Sequence, residues 1–213
     1  MEREETRSGR LRRGSAERRE RQKLNLRQSI LDAALALFAH EGFEGFSLRQ
    51  VAEAIGYSPT AIYQHFSDKE ELLYHIALDG YRVFGEHLQA GYDAEAGAVN
   101  RLRAIGLAYV RFALSHPVQY RLMFMQRGDF FHRPRPPGHE DVIDSFGVLR
   151  RIVREGLASG ELRPGSEDDL STLLWSAVHG LVSLALTTKF FEHVDVEALY
   201  ERHLEVMLRD LAA

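Results

Sequence analysis

The chain has no cysteine among its 213 residues, which excludes disulfide staples, thiolate nucleophiles and cysteine-ligated zinc and suits a reducing cytoplasm. Long apolar runs are also missing. The one stretch near the length of a membrane span, Leu170 to Leu186, is interrupted by Ser171, Thr172, Ser176, His179 and Ser183, so it reads as a buried helix of a soluble protein with no membrane partner. The N-terminus lacks the apolar segment of a secretory signal. Catalytic signatures are absent too: there is no H-E-x-x-H or H-x-x-x-H among the ten histidines, no P-loop, no dinucleotide-binding glycine fingerprint and no G-x-S-x-G. Neither an enzyme nor a bound metal or cofactor is expected. Prolines are few, and Pro134, Pro136 and Pro137 cluster in QRGDFFHRPRPPGHED, residues 126 to 141. That segment is expected to be an extended, mobile loop with Phe130 and Phe131 as its anchor or lid.

Charge is present but uneven. Residues 1 to 27 hold ten Arg or Lys against five Glu, a net of about +5, whereas the whole chain carries −4. Residues 1 to 24 therefore read as a basic, flexible or partly helical arm. Arg7, Arg10, Arg12 and Arg13 in it would either follow phosphates and enter a minor groove or form a solvated tail.

Behind the arm the helix signals come close together. Ile30, Ala33, Ala34, Leu37 and Phe38 recur at helical spacing, predicting a first helix from about Leu26 to Glu41. Phe43 and Phe46 follow as core plugs. Ser47 and Gln50 stand at capping-box spacing, and Gly56 sits where a helix must stop and turn. Ser58 with Pro59 then opens a short helix to His65. Ser67 with Glu70 repeats the capping box before Leu72, Leu73 and Ile76. Two short helices about a glycine turn, with a third behind them, are the sequence form of a helix-turn-helix DNA reader.

The run FAHEGFEGFSLRQVAEAIGYSPTAIYQHFSDKEELL, residues 38 to 73, resembles the TetR-type transcriptional repressors in the order and spacing of its Gly-Phe, Ser-Leu-Arg, Ala-x-x-Ile-Gly and Ile-Tyr-x-His-Phe-x-x-Lys-Glu elements. Trp175, His179 and Gly180 look like the W-x-x-x-H-G element of one subgroup of sensing domains in that family, and HPVQYRLMF, residues 116 to 124, is similar to a segment of the same subgroup. The resemblance implies an all-α protein: a three-helix DNA-binding domain over residues 25 to 71, then a helical ligand-sensing and dimerisation domain over 72 to 213.

In the reader, Ile62 and Phe66 are apolar and four apart, so they face inward. That leaves Pro59, Thr60, Ala61, Tyr63, Gln64 and His65 for a double-stranded operator. Gln64 is the candidate base reader, because an amide can pair with an adenine edge, and Thr60 and Ala61 offer methyl contacts to thymine. In the family pattern Tyr63 and His65 are phosphate contacts. Arg49 can reach a base or a phosphate, and Lys69 is expected as a phosphate clamp.

One such reader buries too little surface for tight binding, so a homodimer on a pseudo-palindrome is expected. The helix from Leu170 to Thr187 is apolar on nearly all sides, and Val196 to Leu211 carries a second stripe. Together these two are the expected subunit interface. Between reader and interface, Leu72 to Gln89 reads as a connector helix and Ala98 to Ser115 as an amphipathic one. The candidate pocket for a small apolar or aromatic effector comprises Phe112, Met123, Phe124, Trp175 and His179. The same residues would also serve as plain core. The function implied is a ligand-responsive repressor, and the alternative is an architectural or partner-recruiting DNA-binding protein with no effector.

Overall fold

A computed structural model describes the backbone of residues 7 to 125 and 144 to 212, with side chains from Gly14 onward in those segments. The described residues form α-helices α1 (Arg7–Gly45), α2 (Leu48–Ile55), α3 (Pro59–Tyr63), α4 (Lys69–Ala94), α5 (Ala98–Ser115), α6 (Pro117–Phe124), α7 (Ser145–Ser159), α8 (Glu167–Thr187) and α9 (Val196–Leu211), with a 3-10 turn over Lys189–His193 before α9. Two compact units meet within α4, one ending at Ile76 and the next starting at Ala77. The side chains of Arg7, Arg10, Arg12 and Arg13, and the loop with Phe130 and Phe131, lie outside the described residues.

In the first unit each helix end is fixed by a residue beside it. Ser47 caps α2 in a complete capping box: its hydroxyl accepts from the Gln50 N–H, and the Gln50 side chain accepts from the Ser47 N–H at 2.8 Å. Gly56 ends α2 at φ 71°, a left-handed conformation that costs a residue with a Cβ about 1 kcal/mol or more. Ser58 caps α3 through the Ala61 N–H, with Pro59 in the first turn.

Two expectations shift. The first helix begins at Arg7 rather than near residue 26, and Gly42, at φ 70°, interrupts it where its exit was anticipated. Residues 15 to 25 are exposed throughout, so the basic segment continues the helix with no apolar cover. At α4 the cap is displaced by one residue. Asp68, not Ser67, accepts from the third N–H of the helix, that of Glu71, at 2.7 Å, while the Glu71 carboxylate accepts from the N–H and hydroxyl of Ser67 at 2.6 and 2.7 Å. Those two bonds hold the Glu71 pKa below the usual carboxylate range. A carboxylate outcompetes a hydroxyl for the first-turn N–H groups, which moves the start by one position.

The core of this unit is Ile30, Leu31, Ala34 and Phe38 of α1 against Phe46, Leu48, Val51, Ala52, Ile62, Phe66, Leu72 and Leu73, all buried. Arg27 donates to His75 Nδ1 at 2.8 Å and lies over the Phe66 ring.

The second unit is built around α5, which packs against α6, α7, α8 and α9. Leu102, Ile105, Tyr109, Val110, Phe112 and Ala113 of α5 meet Ile152 and Val153 of α7, Leu174, Val178, Leu181 and Val182 of α8, and Tyr200 and Leu204 of α9, all buried. Gly106 lets Tyr200 lie against α5: a Cβ there would stand 1.7 Å from the phenol oxygen, which donates to the Leu102 carbonyl at 3.1 Å. Ser166 caps α8, and Glu167, Asp168 and Asp169 fill its first turn, where negative charge opposes the helix dipole.

Candidate DNA interface and ligand site

The reader's chemistry follows from its caps. With Ser58 and Pro59 setting the start of α3, Ile62 and Phe66 turn inward and are fully buried. Pro59, Thr60 and Gln64 are exposed, Tyr63 is 58% exposed, and Ala61 and His65 are half-buried. Arg49 projects from α2 and makes an exposed bond to Glu53 at 3.2 Å, which a phosphate could replace at little cost. Burial, with Lys23 and Arg27 nearby, lowers the His65 pKa and favours the neutral ring. Lys69 is placed differently from the rest. Its ammonium donates to the Phe43 carbonyl at 2.5 Å and the Phe46 carbonyl at 3.3 Å, and lies over both phenyl rings. Two of its three N–H groups therefore tie the end of α1 to α4.

In the second unit, aromatic side chains converge on His179. Trp175 stands one turn before it on α8, ring centroids 5.4 Å apart. Phe124 and Tyr120 of α6 lie 5.8 and 5.9 Å from the imidazole. Phe84 of α4 touches Tyr109, Phe112 and Phe124 at 5.0 to 5.7 Å and joins Phe112 to the group. Phe112 and Met123 are buried. Met123 sits under Gly80 of α4, so close that a Cβ at Gly80 would lie 2.6 Å from its sulfur. Phe124 and His179 are half-buried, Trp175 is 37% exposed, and Phe146 of α7 meets the indole at 5.8 Å.

Inside this apolar shell is a polar knot. The Tyr109 and Tyr120 hydroxyls are 3.0 Å apart and lie 3.0 and 2.8 Å from His179 Nδ1. Burial pushes both phenols up, Tyr120 to about 12, and lowers the imidazole. All three are thus neutral near pH 7. On the opposite face of α5, His87, Gly91, Asn100, Arg103, Leu107 and Arg111 line part of a separate open cleft of about 490 Å³.

Comparison with known proteins gives this arrangement a family. Residues 30–76 match the model of the bacterial regulatory proteins of the tetR family, and residues 102–207 match the tetracyclin repressor-like C-terminal domain. The HTH-type transcriptional repressor AcnR of Corynebacterium diphtheriae is 33% identical over 165 residues, which cover 74% of this chain and 79% of that protein. The chain belongs to the TetR family. A protein of unknown function from Rhodococcus sp. RHA1 is 28% identical, with a TM-score of 0.72 over 88% of this chain and 96% of that one. A tetR-family regulatory protein from Rhodococcus RHA1, 24% identical, shares the fold at a TM-score of 0.67, covering 88% of this chain and 97% of that one. This TetR-family chain is accordingly an all-helical DNA-binding transcriptional regulator and not an enzyme.

Of the residues expected at the ligand site, Phe124, Trp175 and His179 come together, Phe112 joins through Phe84, and Met123 faces Gly80. Sequence reasoning missed Phe84, Tyr109 and Ser183 and gave Tyr120 no polar role. Helical spacing held part of the signal, since Tyr109 precedes Phe112 by three and Ser183 follows His179 by four. That the hydroxyls from α5 and α6 reach one nitrogen on α8 depends on how three helices pack.

Proposed function

We propose that the protein is a homodimeric repressor released from a palindromic operator when a small apolar or aromatic effector enters the His179 cluster. The observation that carries this reading is the cluster itself: a ring of aromatic side chains around a buried polar knot, with Phe124, Trp175 and His179 partly open. Such a site combines apolar walls with a few fixed polar groups, as small-molecule pockets do. Its Trp175, His179 and Gly180 resemble the W-x-x-x-H-G element of one subgroup of sensing domains, which supports an effector site here, and the name of the AcnR relatives supports repression.

Dimerisation through α8 and α9 is supported by what these helices leave uncovered. Leu173, Ala177, Gly180 and Leu184 share one face of α8, and Leu173 and Leu184 are each 51% exposed. Val206 of α9 is 55% exposed. Although α8 is long and apolar enough to cross a membrane by length and composition, its other face is buried against α5, α7 and α9. A second subunit would complete its cover.

In this mechanism effector binding favours a state in which the connector α4 pivots and the two reader helices no longer fit successive major grooves. A coupling of about 1 to 3 kcal/mol suffices. Mobility-shift titration on the upstream region of the protein's own gene, against a broad small-molecule panel, tests the reading. Indifference to every compound would favour the architectural alternative. In the same assay Gln64→Ala should alter base preference at a cost of about 1 to 3 kcal/mol, while Tyr63→Phe, which removes an exposed hydroxyl at an expected phosphate contact, should weaken all sequences alike. Equal binding by both variants and the parent would refute the assigned reader face.

A further inference from the structure

The polar knot has a definite proton count. Tyr109 Oη, Tyr120 Oη and His179 Nδ1 form a triangle with sides of 2.8 to 3.0 Å, and each side can hold one proton. With Nδ1 protonated, only two of the three protons could lie on sides of the triangle, and one hydroxyl would have to donate outside it, as Tyr120 could toward Ser183. With Nδ1 bare, Tyr120 donates to Nδ1 across the shortest side and Tyr109 donates to the Tyr120 oxygen, leaving no proton stranded. Outside the triangle the Trp175 indole N–H, which can only donate, meets the Tyr109 oxygen, and the Ser183 hydroxyl meets the Tyr120 oxygen. Burial of the imidazole favours the neutral ring, which carries a single proton.

The remaining proton of the ring is then on Nε2. Among the described residues the hydrogen-bonding neighbour of Nε2 is the Ser183 hydroxyl at 3.4 Å, at the long limit for such a bond. The ring is half-buried, with Phe124 and Trp175 beside it and Phe146 next to Trp175. We propose that Tyr109 and Tyr120 are positioning residues that hold His179 as the Nε2–H tautomer, and that this N–H binds a carbonyl or carboxylate oxygen on an effector whose planar apolar body lies among these rings. The proposal rests on the cluster being the effector site. It adds the oxygen acceptor and the two tyrosines that make it necessary.

Nitrogen-15 NMR of the full-length, histidine-labelled protein reads the tautomer directly, with the His179 signal assigned by its loss in His179→Asn. The expected pattern is a protonated Nε2 and a bare Nδ1. The double variant Tyr109→Phe with Tyr120→Phe, which removes both hydroxyls within reach of Nδ1 and keeps the rings, should shift that pattern toward a mixture. A protonated Nδ1 in the parent would overturn the proposal. Trp175, the only tryptophan, supplies a fluorescence signal local to the cluster. Acetophenone and benzoate should perturb it and the Nε2 resonance, with ethylbenzene at least about tenfold weaker, the loss of one hydrogen bond of roughly 1.4 kcal/mol. Ethylbenzene binding as well as acetophenone would sink the acceptor requirement while leaving the pocket reading intact. Failure of all three probes to perturb Trp175 would remove the pocket reading along with it.

Discussion

The two units manage their polar groups in opposite ways. In the reader, the bonds that cap the helix starts stay within four residues, Ser47 with Gln50, Ser58 with Ala61, Asp68 with Glu71 and Ser67 with Glu71, while Lys69 to Phe43 and Phe46 and Arg27 to His75 join helices over 23 to 48 residues. In the second unit the bonds that shape the candidate site span 11 to 70 residues, as Tyr109, Tyr120 and His179 do. Local bonds fix where short helices begin and leave one face free for DNA. Long-range bonds fix which side chains meet around His179, and they exist only after α5, α6 and α8 have packed. The reader should therefore tolerate changes in its partner helices better than in its caps, and the second unit the reverse.

The largest expected effect comes from forcing the long-range packing apart. Gly106→Ala puts a methyl group 1.7 Å from the Tyr200 oxygen, where Tyr200 of α9 lies against α5. Either the helices separate or Tyr200 gives up its bond to Leu102. Overpacking of this kind costs about 1 to 3 kcal/mol, and differential scanning calorimetry should show a lower melting temperature. An unchanged Tm would mean that this contact is softer than the contrast between the units requires.

The matching local change is Ser47→Ala, which removes the α2 cap acceptor and should cost about 1 kcal/mol. Urea unfolding should show a lower midpoint, with operator affinity reduced in proportion to the reader left folded. Ser47→Asp, an equally good cap, should restore both. If Asp fails to rescue, the Ser47 side chain has a role beyond capping, and the claim that local bonds alone set the reader's helix starts weakens.

This contrast also explains how much could be read from the sequence. The starts of α2 and α3, the turn at Gly56 and the inward pair Ile62 and Phe66 are legible because each is decided by neighbours in the chain. The Asp68 cap was misplaced by one because Ser67 and Asp68 are both good caps, and spacing alone does not rank them. The α1 start was missed because an Arg-rich segment with no apolar stripe gives no periodicity to read, yet charged residues with long side chains have good helix propensity. In the second unit the bounds of α5 and α9 follow from pattern, and so does the grouping of Phe124 and Trp175 as candidate pocket residues. Phe84 and the tyrosine hydroxyls do not, because nothing local distinguishes a tyrosine whose oxygen meets a distant histidine from one that simply fills core.

The smallest expected effect tests whether the two histidines obey the same contrast. Burial lowers the pKa of His179, and burial with Lys23 and Arg27 lowers that of His65, both from 6.5. A histidine that stays neutral in the folded state takes up its proton more readily when unfolded, so the unfolded state binds more protons below about pH 6.5. The stabilisation is complete above that value and is lost as pH falls through it toward the folded pKa. Tm should therefore drop between about pH 7.5 and about pH 5.5, by less in His179→Asn than in the parent. The slope that remains in His179→Asn includes the His65 share, which should shrink with added salt because two of its causes are nearby surface cations. The His179 share should not, since desolvation inside a packed cluster is not screened. Burial is the largest cause of the His65 shift, so part of its share should persist in salt; a remainder that salt leaves wholly unchanged would mean that Lys23 and Arg27 contribute nothing, and would remove the distinction drawn between the units.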